Sequence, residues 1–138
     1  MILRSTDELE GLARRVLDQL GSGALLLLEG EMGAGKTTFV AALARQLGSE
    51  ASVSSPTYTL VHEYPTPEGT LVHIDAWRLP DAGALERLGL DNYLDTSRLV
   101  AVEWGGDLKA TWPDAALLRL TARADGSRRF EFEPGSAP

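Results

Sequence analysis

Leu25-Leu26-Leu27-Leu28-Glu29-Gly30-Glu31-Met32-Gly33-Ala34-Gly35-Lys36-Thr37 is the stretch that decides the fold. The four leucines read as a short buried strand. Gly30 to Thr37 then spells G-x-x-x-x-G-K-T, the phosphate-binding P-loop. Phe39, Val40, Leu43, Ala44 and Leu47 follow at helical spacing, and Gly48 stands where a C′ glycine ends a helix. The same letters also occur in ordinary glycine turns; strand before and helix after are what separate the two.

The chemistry follows from the backbone. A glycine-rich turn at a helix N-terminus points its N–H groups inward and favours an anion. Glycine is needed because a Cβ would block the approach to phosphate and because the turn visits φ > 0. Glu31, Met32, Gly33, Ala34 and Gly35 line this cradle, Lys36 reaches the β- and γ-phosphates, and the Thr37 hydroxyl ligates Mg²⁺. The expected ligand is a nucleoside triphosphate with its metal.

Composition narrows the class. A length of 138 residues suits one domain, expected over 1–133 with 134–138 as a disordered tail. No apolar run approaches a membrane span, and Asp7, Glu8 and Glu10 arrive where a secretion signal would be basic and then apolar. The absence of cysteine excludes a disulfide framework and thiolate metal sites. A cytoplasmic location is the expectation. The net charge of −7 argues against grasping RNA or DNA unaided, because phosphate neutralisation drives such binding. Only Lys36 and Lys109 are lysines, so a protein partner is the expected macromolecular contact.

Along the chain, Ser5 and Glu8 have capping-box spacing, and Leu9, Leu12, Ala13, Val16, Leu17 and Leu20 form one helical stripe closed by Gly21. Tyr58 to Tyr64 and Thr70 to Asp75 read as strands of an antiparallel hairpin around Pro65–Gly69. Ala82 to Leu88 and Leu90 to Leu94 read as helical pieces split at Gly89, and Leu99 to Glu103 as a buried strand. Ala116 to Ala122 and Arg129 to Glu133 form a second hairpin. The fold class expected is α/β: a small single-domain P-loop NTPase fold with a mixed parallel and antiparallel sheet flanked by helices.

Hydrolysis also needs a metal carboxylate and a group that positions water. Leu71-Val72-His73-Ile74-Asp75 and Leu99-Val100-Ala101-Val102-Glu103 each end in an acid, where ligands of such sheets bind, so Asp75 and Glu103 are the metal candidates. Ser54-Ser55-Pro56-Thr57 stands where a nucleotide-sensing switch would, or is a plain turn. Arg78 is a candidate for neutralising developing charge or for a surface ion pair. Trp104 stacks on a base or partner, or packs in the core. His62 and His73 lack metal-ligand spacing and read as structural.

Four blocks together resemble the bacterial TsaE family: Gly30 to Thr38 as G-E-M-G-A-G-K-T-T, Ser55 to Val61 as S-P-T-Y-T-L-V, His73 to Leu79 as H-I-D-A-W-R-L, and Val102-Glu103-Trp104. The pattern L-E-x-L-G-L-x-x-Y at residues 85–93 is similar to the family's helical segment. The resemblance implies a small ATPase required for threonylcarbamoyladenosine formation beside the tRNA anticodon. It implies partnership with a TsaD–TsaB heterodimer, which handles the tRNA while ATP hydrolysis resets the complex. Carried onto this chain, it gives Lys36 and Thr38 to phosphate, and Thr37 and Glu103 to Mg²⁺. Asp75 goes near the metal or attacking water, Thr57 to the switch, and Thr6 and Glu8 to the adenine border. Trp77 replaces the tyrosine of the family's D-x-Y-R, and Gly30-Glu31-Met32 replaces Gly-Asp-Leu.

Two other classes use the same loop. A small-molecule kinase needs an acceptor pocket and an arginine-bearing lid, and the segment Asp81 to Leu94 offers only Arg87. A nucleotide-controlled switch would bind with negligible catalysis. A GTPase is disfavoured, because the one asparagine, Asn92, lies outside any N-K-x-D motif.

Overall fold

The computed structural model describes residues 2–30, 35–49, 61–76, 82–103 and 112–135. Its elements are β1 (Ile2–Leu3), α1 (Thr6–Gln19), β2 (Ala24–Glu29), α2 (Lys36–Gln46), β3 (Val61–Tyr64) and β4 (Leu71–Asp75). They continue with α3 (Ala82–Arg87), α4 (Leu90–Thr96), β5 (Leu99–Glu103), β6 (Ala116–Ala122) and β7 (Arg128–Glu133). The strands form one seven-stranded sheet in the order β1-β7-β6-β2-β5-β4-β3. The strands β4, β5, β2 and β6 run parallel, while β3 at one edge and β7 towards the other pair antiparallel. The mixed α/β sheet expected from the sequence is therefore the one observed.

Alternation of side chains along each strand sorts the core into two layers. Leu26, Leu28, Leu71, Leu99, Ala101 and Leu118 face α1 and α2, where they meet Leu12, Val16, Phe39 and Leu43. Leu25, Leu27, Val72, Ile74, Val100 and Val102 face the other side and pack with Leu85 and Leu90 of α3 and α4. In register, Asp75 is paired with Glu103 and Leu28 with Glu103. Both acids thus fall on the parity of Leu71 and Leu99, the face beneath α2. Phe39 and Phe130 cross this layer with ring centroids 6.0 Å apart, tying α2 to β7.

Helix α1 begins as expected: the Glu8 backbone N–H donates to Ser5 Oγ at 3.2 Å, and the Ser5 hydroxyl meets the Glu8 carboxylate. Its end differs from the expectation. Gly21 does not close it; the cap residue is Leu20 in an extended conformation, and Gly21 is not left-handed. Instead the Arg98 guanidinium donates to the carbonyls of Leu17 (3.0 Å) and Gly21 (3.3 Å). A cation on the last carbonyls satisfies them as well as a glycine turn would. Helix α2 does end on its glycine: Gly48 N–H donates to Arg45 O and Ser49 N–H to Ala44 O, with Gly48 at φ 92°. That pair of bonds is a Schellman motif.

Strand β1 was not foreseen. It has two residues and pairs with the start of β7, Ile2 with Arg129 and Leu3 with Arg128. The β3–β4 hairpin is antiparallel as expected, and of the expected strand Tyr58 to Tyr64 only Val61 onward lies within the described residues. Gly135, in the expected tail, lies at Asp114 and Ala115, whose backbone a Cβ on it would strike.

Candidate nucleotide site

The parallel strands β2, β4 and β5 bring three chain segments to one end of the sheet. Gly30 follows β2, Asp75 ends β4 and Glu103 ends β5. Gly35 caps the N-terminus of α2 at φ 106°, a left-handed conformation that a side chain resists. Glu31, Met32, Gly33 and Ala34, the rest of the expected cradle, lie outside the described residues. Thr57, Trp77, Arg78 and Trp104 lie outside them too.

The described site residues converge. Lys36 is buried at the first turn of α2, and its ammonium donates to the Gly30 carbonyl. Burial holds its pKa below the ordinary 10.5, and the negative charges of Glu103 and then Asp75 partly oppose that shift. Both carboxylates are therefore close enough to act on the ammonium. Thr37 Oγ1 donates to Glu103 Oε2 at 3.5 Å. Glu103 is 7% exposed and also contacts the His73 imidazole. Asp75, its register partner, is half-buried.

This donor set fits magnesium held jointly with phosphates. Mg²⁺ prefers oxygen ligands and is usually held by one or two carboxylates plus substrate phosphates. Thr37 Oγ1 and Glu103 Oε2, in contact with each other, could supply two such oxygens. Among the described residues no group of three or more His, Cys, Asp and Glu side chains could hold a metal alone.

Beside the loop runs a cleft of about 310 Å³, bordered by Ser5, Thr6, Gly35, Thr38 and Arg128. Thr6 and Thr38 both line this cleft. Glu8 does not join them there, its carboxylate meeting the Ser5 hydroxyl. Two residues were missed. Arg128 on β7 brings its guanidinium to the loop, its Nε lying 3.6 Å from where a Cβ on Gly35 would stand. His73, structural by its spacing, bonds the Glu103 carboxylate. The H-x-D spacing was the available signal for His73; nothing local in the sequence signalled Arg128.

A parallel core strand feeding a glycine turn and a helix, with acids at the ends of neighbouring strands, makes this a P-loop NTPase-type fold. The chain belongs to the family described as threonylcarbamoyl adenosine biosynthesis protein TsaE, whose model matches residues 3–130. It is 42% identical over 106 residues to the tRNA threonylcarbamoyladenosine biosynthesis protein TsaE of Aquifex aeolicus, covering 75% of this chain and 74% of that one. Against the Bacillus subtilis TsaE it is 35% identical over 127 residues, 91% of this chain and 79% of the relative. The crystal structure of Bacillus subtilis YdiB superposes with a TM-score of 0.73 at 27% identity, covering 96% of this chain and 82% of that one. Among the described residues no helix is long and apolar enough to cross a membrane.

Proposed function

We propose that this chain is a cytoplasmic Mg-ATPase that supports threonylcarbamoyladenosine formation by binding and resetting a TsaD–TsaB transferase complex. The observation that carries the reading is the meeting of Lys36, Thr37 and Glu103, with Asp75 beside them, at the carboxyl end of the parallel strands. That constellation has what phosphoryl chemistry asks of a protein: a cation for the β- and γ-phosphates, oxygens for the metal, and a second carboxylate for water.

In this reading Lys36 leaves the Gly30 carbonyl for phosphate oxygens, aided by the backbone N–H groups of residues 31–35. Thr37 and Glu103 would hold Mg²⁺, which would supply positive charge to offset the negative charge of the phosphates. Thr38 and Arg128 approach the phosphates from the cleft side, and Thr6 borders the nucleoside. Asp75 acts near the metal or the attacking water, Thr57 senses the γ-phosphate, and Trp104 stacks on base or partner. The tRNA is handled by the partners, in keeping with the charge of −7.

The test is phosphate release from Mg-ATP by the chain alone and with its cognate TsaD–TsaB pair, with Lys36→Ala as control. Stimulation by the pair that is lost in Lys36→Ala is the expected result. Equal rates with and without the pair would leave an ATP site but remove the partner role. Unchanged turnover in Lys36→Ala would remove the ATP site as well.

A further inference from the structure

Glu103 has a neighbour that phosphate and metal chemistry does not by itself require. His73 precedes Asp75 by two residues on β4 and so shares its face of the sheet. It is fully buried, at 0% exposure. Its register partner on β5 is Ala101, two residues before Glu103 on the same face of the sheet. There Nε2 meets Glu103 Oε2, the same oxygen that Thr37 Oγ1 approaches at 3.5 Å.

An ionised carboxylate only accepts, so Nε2 carries the hydrogen and donates it. Nδ1 is then a buried acceptor, and among the described residues it has no hydrogen-bond partner. An unpaired buried acceptor is a cost that leucine or phenylalanine would avoid while filling the same space. The histidine is therefore explained by the bond it makes at Nε2, not by packing.

We infer that His73 is a positioning residue whose Nε2–H fixes the Glu103 carboxylate in the direction from which it serves Mg²⁺. The inference rests on the reading of Glu103 as a metal ligand. Carboxylates that ligate metals are commonly held by such outer partners, and losing one costs about 10- to 100-fold in metal affinity.

The experiment follows binding of a fluorescent ATP analogue, first in EDTA and then across a Mg²⁺ titration. The variants are His73→Leu, His73→Gln and Glu103→Ala, each checked for folding by thermal melting. His73→Leu should leave metal-free binding within about 2-fold and raise the Mg²⁺ concentration needed by about 10-fold or more. His73→Gln, whose amide nitrogen stands near the place of Nε2, should recover most of the loss. Unchanged Mg²⁺ dependence in His73→Leu, or equal losses with and without metal, overturns the positioning role. If Glu103→Ala itself leaves the Mg²⁺ dependence unchanged, the reading of the metal site fails first and takes this inference with it. A His73→Leu chain that does not fold leaves the wild type to decide by long-range ¹H–¹⁵N spectra: the Nε2–H tautomer is expected, and an Nδ1–H tautomer overturns the inference.

Discussion

The Thr37 hydroxyl lies 3.5 Å from Oε2 of Glu103, a residue 66 positions further along the chain. Groups that serve one ion are not independent. Glu103→Ala is expected to weaken Mg²⁺-dependent turnover by about 10-fold or more, with metal-free nucleotide binding much less affected. In a double-mutant cycle, Thr37→Val combined with Glu103→Ala should cost less than the sum of the two. Additive losses would place the two oxygens on different tasks.

Arg128 gives a second expectation, separable from the metal. A lost charge-assisted hydrogen bond is worth about 1.5–3 kcal/mol, so Arg128→Ala should weaken ATP binding by roughly 10-fold or more. The loss should be the same in EDTA and in Mg²⁺, and calorimetry with adenosine should show none of it. A loss shared by adenosine would assign Arg128 to the nucleoside or to the fold.

The end of α1 can be tested without ligand. Arg98→Ala removes the donor to the Leu17 and Gly21 carbonyls and should lower stability in urea by about 1–2 kcal/mol. Gly21→Ala meets nothing within 4 Å and should change stability by about 0.5 kcal/mol at most. Gly23 is the demanding position, at φ 82° with a Cβ site 2.8 Å from the Leu94 carbonyl. A large loss at Gly21 with none at Arg98 would restore glycine as the cap.

The β6–β7 turn carries a pH signature. The Ser127 hydroxyl and then its backbone N–H bond the Asp125 carboxylate and lower its pKa from 3.8 to about 2. Because the folded value is the lower one, the stability this group contributes is present above pH 3.8 and is lost as pH falls towards 2. Ser127→Ala should move the Asp125 carboxyl back towards its ordinary value and narrow that window, as read by NMR titration. An unmoved titration would show that the side-chain bond does not form in solution.

What the sequence could announce was whatever local pattern controls. Four leucines before a glycine turn, an acid at the end of each apolar run, and a five-residue link that only a hairpin can use fix β2, β4, β5 and their polarity. Period-two alternation then puts Asp75 and Glu103 on one face once the register is in phase. Strand β1 was illegible because two residues carry no alternation. Arg98 at the end of α1 and Arg128 at the loop were illegible because each acts across the fold. His73 falls between: its parity was readable, but its bond is to a residue 30 positions on, brought near only by the β4–β5 pairing.

The central strand β2 lies between β5 and β6, and both come from the chain beyond Arg98. A nascent chain stalled before Leu99 would therefore carry the entire glycine loop in its sequence and neither of the two strands that hold it in place. Its four leucines would be an unpaired, sticky segment needing cover until β5 and β6 emerge, since distant pairings form late. Nucleotide binding should accordingly switch on only once both β5 and β6 have emerged.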